Sequence, residues 1–232
     1  MKALAIITAR GGSKRIPRKN IKEFLGKPII CYSIEAALAS GIFDEVMVST
    51  DDDEIASIAT NAGAKVPFMR SKETANDFAT TNAVILEVLK EYQKRGMEFD
   101  YVACLYPTNP FITVSKLQKS MEIMMEKKCA EVVPMVSFSY PPQRGYVIDE
   151  KGIASYKWPE FKNSRSQDLE KMYHDAGQFY LYDAKSYLEH DGVYGEVCPL
   201  ICSETEVQDI DTLDDWKLAE IKVEYLRRMG CL

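Results

Sequence analysis

Histidines, paired cysteines and long apolar runs are scarce or missing in this 232-residue sequence. It has only two histidines, and its six cysteines contain no Cys-x-x-C pair, so neither a zinc site nor a disulfide framework is indicated. A membrane helix needs about 20 apolar residues, a length that no segment approaches. The first apolar run is short and charged residues follow it, unlike the layout of a signal peptide. We therefore expect a cytoplasmic protein that does not bind a membrane.

A basic face and the commonest phosphate-binding motifs are also missing. The formal net charge of −6 and the pI near 5.2 argue against nucleic acid as a partner, because nucleic-acid binding usually requires a basic surface. A Walker A loop is excluded, since Pro28 follows Gly26-Lys27 where Ser or Thr is needed, and G-x-G-x-x-G is absent. The sequence shows no Ser-His-Asp or Cys-His constellation, which favours direct displacement over a covalent intermediate.

A basic loop with two glycines is the most informative segment that is present. It occupies residues 9–20, directly after the apolar run 3–7, which predicts a buried strand. Open α/β sheets bind ligands beyond the carboxyl ends of their strands, and Gly11-Gly12 permits close backbone approach there. The loop therefore predicts a phosphate-binding site, with a solvated basic loop as the alternative. Its cationic residues are Arg10, Lys14, Arg15, Arg18 and Lys19.

Strand and helix patterns alternate along most of the chain. Helical spacing of apolar residues separates most of the predicted strands, with glycines at the predicted helix ends and Thr212 at the start of the last helix. This order predicts a three-layer α/β/α, Rossmann-like fold with a mostly parallel sheet, formed by residues 1–232 as a single domain. The segments predicted as strands are residues 3–7, 45–49, 65–69, 101–106, 131–136, 177–183 and 206–209.

Residues 138–175 break this alternation. Pro141-Pro142, Gly145 and Trp158-Pro159 stand there among scattered charges, which is typical of a segment that leaves the main sheet. We expect an inserted arm that covers a substrate or reaches a second subunit.

Two aspartates near the C-terminus form a candidate metal site. Asp209 and Asp211 are two residues apart on a predicted strand end, so their carboxylates should project from the same face. Mg²⁺ fits such a pair, because it binds few protein carboxylates and completes its shell with water and phosphate oxygens. The alternative is a solvated turn, since Asp214 and Asp215 nearby are typical helix-start residues.

The basic loop also resembles a family signature. Its motif Arg-x-x-Ser-Lys-x-x-Pro-x-Lys-Asn is similar to that of the cytidylyltransferases that activate nine-carbon and eight-carbon sugar acids as CMP derivatives. Residues 163–169 and 173–180 most resemble the branch that acts on pseudaminic acid. The motif consists of Arg10, Ser13, Lys14, Pro17, Lys19 and Asn20. Further similarity, which extends the resemblance over essentially the whole chain, lies at Val48-Ser49-Thr50-Asp51, Tyr106-Pro107-Thr108-Asn109-Pro110 and Asp209-Ile210-Asp211.

The resemblance implies a reaction in which CMP passes from CTP to the anomeric hydroxyl of a nonulosonic acid and pyrophosphate leaves. It implies that Arg10 and Lys19 are catalytic and stabilise charge on the phosphates, and that catalytic Asp209 and Asp211 bind Mg²⁺. It also implies a homodimer in which the arm closes the neighbouring active site. The expected nucleotide contacts are Ala9, Arg10, Gly12, Ser13, Lys14, Lys19, Asn20, Arg70 and Thr81. The expected sugar contacts are Tyr106, Thr108, Arg165, Gln167, Tyr173, His174, Asp175 and Gln178.

Alternatives to these roles stay open at the level of sequence. Arg15 and Arg18 are expected to be surface charges, and Arg70 could equally be a solvated rim charge. Tyr106 stands where relatives specific for sialic acid tend to have Gln, which favours pseudaminic acid over the alternative substrates, legionaminic and N-acetylneuraminic acid. A glycosyltransferase of related fold would not need the triphosphate loop. A catalytically silent nucleotide-binding protein would not need Lys19 together with both aspartates.

Overall fold

The computed structural model describes residues 1–13 and 15–232. The strands are β1 (Ala3–Thr8), β2 (Glu23–Phe24), β3 (Lys27–Pro28), β4 (Glu45–Ser49), β5 (Tyr101–Leu105), β6 (Glu131–Ser137), β7 (Tyr146–Ile148), β8 (Ala154–Tyr156), β9 (Tyr173–Asp175), β10 (Phe179–Asp183) and β11 (Val197–Cys202). The α-helices are α1 (Ile30–Ser40), α2 (Asp53–Asn61), α3 (Lys72–Ala75), α4 (Thr81–Lys94), α5 (Val114–Lys127), α6 (Ala184–Glu189) and α7 (Leu213–Arg228). Short 3₁₀ turns cover Lys19–Ile21, Pro142–Arg144, Pro159–Phe161, Ser166–Asp168 and Glu204–Glu206.

A seven-stranded sheet forms the centre of the fold, in the order β11-β6-β10-β5-β1-β4, with β9 also paired to β6. Strands β4, β1 and β5 are parallel to one another, and β11 is parallel to β6. The antiparallel members are β10, between β5 and β6, and β9. The predicted mostly parallel α/β sheet is therefore confirmed.

Alternate residues of β1 show how helices cover both faces of the sheet. Ala3, Ala5 and Ile7 belong to a core cluster with apolar residues of α1, α2 and α5. Leu4 and Ile6 belong to a second cluster with residues of α4 and α6. A strand buried on both faces reads as a continuous apolar run, which explains why residues 3–7 were predictable.

Helix ends follow the capping signals of the sequence. The Thr212 hydroxyl accepts a hydrogen bond from the backbone N–H of Asp215, and the Asp215 carboxylate accepts one from the backbone N–H of Thr212. This reciprocal capping box starts α7, as predicted. Helix α1 ends at Gly41, whose φ of 66° lies in the left-handed region that favours glycine.

Two of the predicted strands are wrong. Among the described residues, the segment 65–69 makes a single bridge to the sheet, between Lys65 and Met47, because Pro67 has no N–H to donate to a longer ladder. Residues 206–209 pair with no strand among the described residues, since Glu206 closes the 3₁₀ turn by accepting a hydrogen bond from the backbone N–H of Ser203. Strand β11 and helix α6 were not predicted.

The segment 138–175 contains the β7–β8 hairpin and three of the 3₁₀ turns, and it returns to the sheet through β9. All three residues of β7 are exposed. Among the described residues, no helix is long and apolar enough to cross a membrane.

Candidate active site

The candidate site lies at the edge of the sheet where the parallel strands end. The register places Thr8 of β1 opposite Ser49 of β4, and Ile7 opposite Leu105 of β5. Three segments therefore leave the sheet side by side: the basic loop, residues 50–52 and residues 106–109. Strand β10 runs in the opposite direction, so the turn that precedes it, residues 176–178, reaches the same edge. This is the edge at which open α/β sheets bind their ligands.

Hydrogen bonds to the neighbouring strand ends fix the backbone of the basic loop. Buried Asn20 donates through Nδ2 to the carbonyl oxygen of Arg10 at 2.9 Å. The backbone N–H of Gly11 donates to Oδ1 of Asp51 at 2.9 Å. A Cβ added at Gly11 would lie 2.8 Å from a carboxylate oxygen of Asp52, so this close approach requires glycine.

The predicted phosphate contacts differ in their surroundings. Gly12 is exposed, and the Ser13 hydroxyl donates to the carbonyl oxygen of Ile16 at 2.7 Å. Lys14 lies outside the described residues. Ala9 is buried, and its backbone N–H donates to the carbonyl oxygen of Ser49 at 3.0 Å.

Arg10 joins the basic loop to the segment before α4. Its Nη1 lies 2.7 Å from Oδ1 of Asp77 and 3.4 Å from the carbonyl oxygen of Asn76. The side chain of Arg10 is 37% exposed, so its guanidinium keeps a solvent-facing surface that a ligand can reach.

Arg18 and Arg15, which the sequence predicts as surface charges, have partly exposed side chains that pair with acidic residues. Arg18 adopts a left-handed backbone conformation and forms a bidentate pair with Asp52, with Glu54 at 2.5 Å from Nη2. Asp52 caps α2, and the hydrogen bond from Arg18 lowers the pKa of its carboxyl to about 2. Arg15 pairs with Asp211. The two arginines thus fasten the basic loop to α2 and to the C-terminal segment.

Lys19 connects the basic loop to the segment that carries the two candidate metal ligands. Its Nζ donates to the carbonyl oxygen of Ile210 at 2.5 Å and lies 3.7 Å from Oδ1 of Asp211. Asp209, one residue before Ile210, is exposed. The aspartates lie on an unpaired segment, so the predicted strand end at this position is wrong.

The donor set of this segment fits Mg²⁺. Asp209 and Asp211 offer only oxygen ligands, and Mg²⁺ is usually held by one or two carboxylates together with phosphate oxygens and water. Among the described residues, no group of three or more His, Cys, Asp and Glu side chains could hold a metal. A metal here would therefore depend on this pair and on phosphate, and not on a cage of protein ligands.

Three side chains hold the segment that carries the aspartates, through hydrogen bonds and an ion pair to residues 206 and 207. Gln178 Nε2 donates to the carbonyl oxygen of Glu206 at 2.6 Å, and Lys222 Nζ donates to that of Val207 at 2.7 Å. Lys116 Nζ lies 3.3 Å from Oε1 of Gln178 and 3.8 Å from a carboxylate oxygen of Glu206. Burial lowers the pKa of Lys116.

Gln178 is fully buried in this network. Its burial corrects the predicted sugar contact, because a side chain without exposed surface cannot touch a ligand.

A cavity of about 500 Å³ opens beside the aspartates. Tyr106, His174, Asp175, Gly177 and Asp209 contribute to its walls. Asp209 therefore links this cavity to the basic loop, because Ile210 and Asp211 contact Lys19. A larger cavity, of about 920 Å³, lies at the opposite edge of the sheet, where Lys2, Asp100 and Leu188 contribute to its lining.

Asp175 and Tyr106 are both held by neighbouring groups. Oδ1 of Asp175 accepts a hydrogen bond from the backbone N–H of Gly177 at 2.7 Å, and Oδ2 accepts one from the Tyr180 hydroxyl at 2.6 Å. The rings of Tyr106 and Tyr180 meet edge to face, with centroids 5.5 Å apart. Ser33 Oγ donates to the carbonyl oxygen of Tyr106 at 2.8 Å.

His174 also lines the cavity, whereas Tyr173 and Thr108 are not among the described residues that line it. His174 Nδ1 lies 2.9 Å from the carbonyl oxygen of Asp175, and its ring packs against Phe138. Tyr173 is exposed on β9, with Nζ of Lys171 5.3 Å from its ring centre. Thr108 is half-buried in the turn after β5.

Arg165 and Gln167 are not among the described residues that line this cavity. Arg165 is bound to Asp168 in the same 3₁₀ turn, with Nε and Nη2 at 2.7 and 3.1 Å from its carboxylate oxygens. Gln167 lines a separate groove of the arm, next to Phe138 and Leu169. The structure therefore does not bring these two residues to the cavity of their own chain.

Arg70 and Thr81, two of the predicted nucleotide contacts, follow β4 in the chain. Arg70 is buried and donates to the hydroxyl of Ser49 at 3.0 Å and to its carbonyl oxygen at 2.6 Å. Burial lowers the pKa of Arg70, so it is not a solvated rim charge. Thr80 is the N-cap of α4 and accepts a hydrogen bond from the backbone N–H of Ala83, which leaves Thr81 as the first residue of the helix.

Sequence reasoning missed several residues that shape the site. Asp51 follows a predicted strand, a position that could have signalled its contact with the basic loop. No such signal marks Asp77 or Lys116, because their partners are distant in sequence. Tyr180 is hidden by the alternating pattern of its strand.

Three comparisons with known proteins identify the family and the fold to which this chain is similar. The family model described as Cytidylyltransferase matches residues 4–201. A pseudaminic acid cytidylyltransferase of Campylobacter jejuni is 43% identical over 222 residues, which cover 95% of this chain and 96% of that protein. A CMP-N,N'-diacetyllegionaminic acid synthase of Legionella pneumophila is 36% identical, with 97% of each chain covered. The solved structure of a CMP:2-keto-3-deoxy-manno-octonic acid synthetase complexed with CTP is similar in fold, with a TM-score of 0.69, 20% identity and coverage of 98% and 100%.

Proposed function

This chain belongs to the cytidylyltransferase family, and we propose that it transfers CMP from CTP to the anomeric hydroxyl of pseudaminic acid, with release of pyrophosphate. The observation that carries the proposal is the placement of Lys19 against the Asp209–Asp211 segment, beside a cavity lined by Tyr106 and Asp175. The 43% identity with a pseudaminic acid cytidylyltransferase over nearly the full length of both chains supports the sugar.

Charge stabilisation at the phosphates is the proposed role of the basic loop. Attack of the sugar hydroxyl on the α-phosphorus increases negative charge on the non-bridging oxygens and on the departing pyrophosphate. Fixed cations at Arg10 and Lys19 would stabilise that charge without rearranging, since hydrogen bonds already hold both side chains. Ser13, Lys14 and the backbone near Gly12 would bind the β- and γ-phosphates, and Asn20, Arg70, Thr81 and Ala9 would surround the nucleoside.

Asp209 and Asp211 are the proposed holders of Mg²⁺. The ion, when bound there, would neutralise charge on the triphosphate. Asp211 also pairs with Arg15 and lies near Lys19, which keeps its carboxylate beside the basic loop.

The sugar acid is proposed to occupy the 500 Å³ cavity, where Tyr106, His174 and Asp175 line the walls and would contact it. Thr108, in the turn after β5, is proposed as a further contact. We further propose a homodimer in which the arm carries Arg165, Gln167 and Tyr173 to the neighbouring site. Two observations support this arrangement. Arg165 is 72% exposed and away from its own cavity, and the arm exposes Tyr146, Ile148 and Ile153. An arginine would pair with the sugar carboxylate through two hydrogen bonds.

Pyrophosphate release across a panel of nucleotides and sugar acids tests the function. We expect turnover with CTP and pseudaminic acid, a much lower rate with UTP, and a lower kcat/KM with N-acetylneuraminic or legionaminic acid. Tyr106→Gln should narrow the preference between pseudaminic and N-acetylneuraminic acid. Equal or greater kcat/KM with either alternative acid would contradict the choice of sugar. If none of the sugar acids is turned over, the proposed reaction is contradicted.

A further inference from the structure

Tyr180 joins two residues of the proposed sugar cavity although it lies behind them. Its hydroxyl donates to Oδ2 of Asp175 at 2.6 Å, and its ring contacts that of Tyr106 edge to face. Tyr180 is half-buried in β10, between β5 and β6, so its backbone position is fixed by the centre of the sheet. The residue thus couples the carboxylate and the aromatic ring of the cavity.

The hydrogen bonds of Asp175 leave it able to bind a donor. Each carboxylate oxygen has two lone pairs, and Gly177 and Tyr180 occupy one on each oxygen. The carboxylate lines the cavity, so the remaining lone pairs can accept a hydrogen bond from a ligand there. Donors from two directions also restrict rotation of the carboxylate, which fixes the direction in which it accepts.

The cavity wall at Asp175 and Tyr106 combines a polar and an apolar surface. The Asp175 carboxylate requires an N–H or O–H donor, and the neighbouring Tyr106 ring offers an apolar surface. A secondary amide with a short acyl chain presents both in one group, because its N–H donates and its methyl group packs against an aromatic ring. A hydroxyl group would satisfy only the carboxylate.

We propose that Tyr180 is a positioning residue for sugar selection, which orients Asp175 to accept the N–H of an acylamino group beside the Tyr106 ring. This inference rests on the proposed function, because it assumes that the sugar acid occupies this cavity. It assigns the acylamino group of the bound sugar acid to the part of the cavity formed by Asp175 and Tyr106.

Tyr182 provides a matched control, because it belongs to the same strand and the same face of the sheet. The ring centres of Tyr180 and Tyr182 are 6.3 Å apart. Tyr182 is more deeply buried, however, and its side chain lies beside Glu131 and Tyr187 and not beside Asp175. Tyr180→Phe and Tyr182→Phe each remove one hydroxyl and preserve a ring in the sheet. Only the first removes a hydrogen bond to the cavity.

Steady-state kinetics with both variants test the inference. Tyr180→Phe should raise the KM for the sugar acid about tenfold, the usual effect of losing one hydrogen bond to a charged group, and should leave the KM for CTP within about twofold of wild type. Tyr182→Phe should leave both KM values unchanged. Asp175→Ala should raise the KM for the sugar acid at least as much as Tyr180→Phe does. It serves as the second variant if Tyr180→Phe unfolds at a much lower temperature than wild type.

Paired substrates then test the chemical group. Wild type should prefer an acylamino sugar acid over the matched acid that carries a hydroxyl at that position, and Tyr180→Phe should lower this kcat/KM ratio about tenfold. The inference is overturned if the ratio is unchanged, if Tyr182→Phe lowers it equally, or if the KM for CTP rises in parallel. A wild-type enzyme without turnover on any sugar acid refutes the proposed function itself, and normal turnover with an unchanged ratio refutes only the role of Tyr180.

Discussion

The ammonium group of Lys19 lies 2.5 Å from the carbonyl oxygen of Ile210, midway between the two proposed metal ligands in the sequence. This hydrogen bond joins the first loop of the chain to a segment 191 residues away. The residues proposed to act on phosphate and on metal are thus held together by the fold before any ligand binds. Such preorganisation is what a charged transition state requires.

Lys19→Ala should lower kcat about a hundredfold and change the KM for CTP much less, because the cation is proposed to act on charge that grows during the reaction. Steady-state kinetics with varied CTP would check this. The control is Lys22→Ala, which removes an exposed lysine three residues further on, and it should be close to wild type. A change confined to the KM for CTP would limit Lys19 to ground-state binding.

Asp211→Asn should lower kcat on the order of a hundredfold at saturating Mg²⁺, since it removes one proposed ligand charge but preserves shape. Titration of free Mn²⁺ by electron paramagnetic resonance, with CTP present, should show weaker binding. Asp214→Asn is the matched control, because Asp214 is almost fully exposed and lies 3.6 Å from Lys217. Wild-type Mn²⁺ affinity in Asp211→Asn would exclude this residue from the metal site.

The buried network of Lys116 and Gln178 leads to a third prediction. Lys116→Met should lower kcat about tenfold or more, because Gln178 and Glu206 lose a partner and the segment 204–211 is held less firmly. Hydrogen exchange measured by mass spectrometry should become faster in that segment. Lys119→Met, an exposed lysine of the same helix paired with Glu122, is the control. Unchanged exchange in 204–211 would show that Lys116 does not hold the segment.

The central strands could be predicted from sequence because their burial on both faces leaves continuous apolar runs. The basic loop could be predicted because its charge contrasts with an acidic chain. The segment 206–211 could not, since its geometry depends on Gln178, Lys222 and Lys19, which are distant in sequence. Gln178 itself lies in a polar stretch that suggests a surface, and its burial is explained by its contacts with Lys116 and with the carbonyl oxygen of Glu206.

Arg18 shows the same limit of sequence reasoning. In the sequence it is one of five cations in a loop, and nothing there distinguishes it from a solvated charge. In the structure its guanidinium binds the N-cap of α2. A pairing of this kind depends on the register between β1 and β4, which a single sequence does not reveal.

Glu131 provides a prediction about pH. This half-buried carboxyl lies at the start of β6, and its partial burial, reinforced by the charge of Asp175, raises its pKa to about 7 from an ordinary value of 4.5. A raised carboxyl pKa means that folding favours the protonated form. The free energy of unfolding should therefore fall as pH rises from about 4.5 to about 7, and the loss should be complete above pH 7.

Glu131→Gln tests this assignment, because glutamine resembles the protonated side chain at every pH. At pH 4 the variant and the wild type should have similar stability. At pH 8 the variant should be more stable by about 1–3 kcal/mol, since one pKa unit corresponds to about 1.4 kcal/mol and partial solvation reduces the full effect. Urea unfolding at both pH values measures the difference, and Glu122→Gln, at an exposed position of α5, is the control. A stability difference that does not change between pH 4 and pH 8 would show that Glu131 titrates normally in the folded protein.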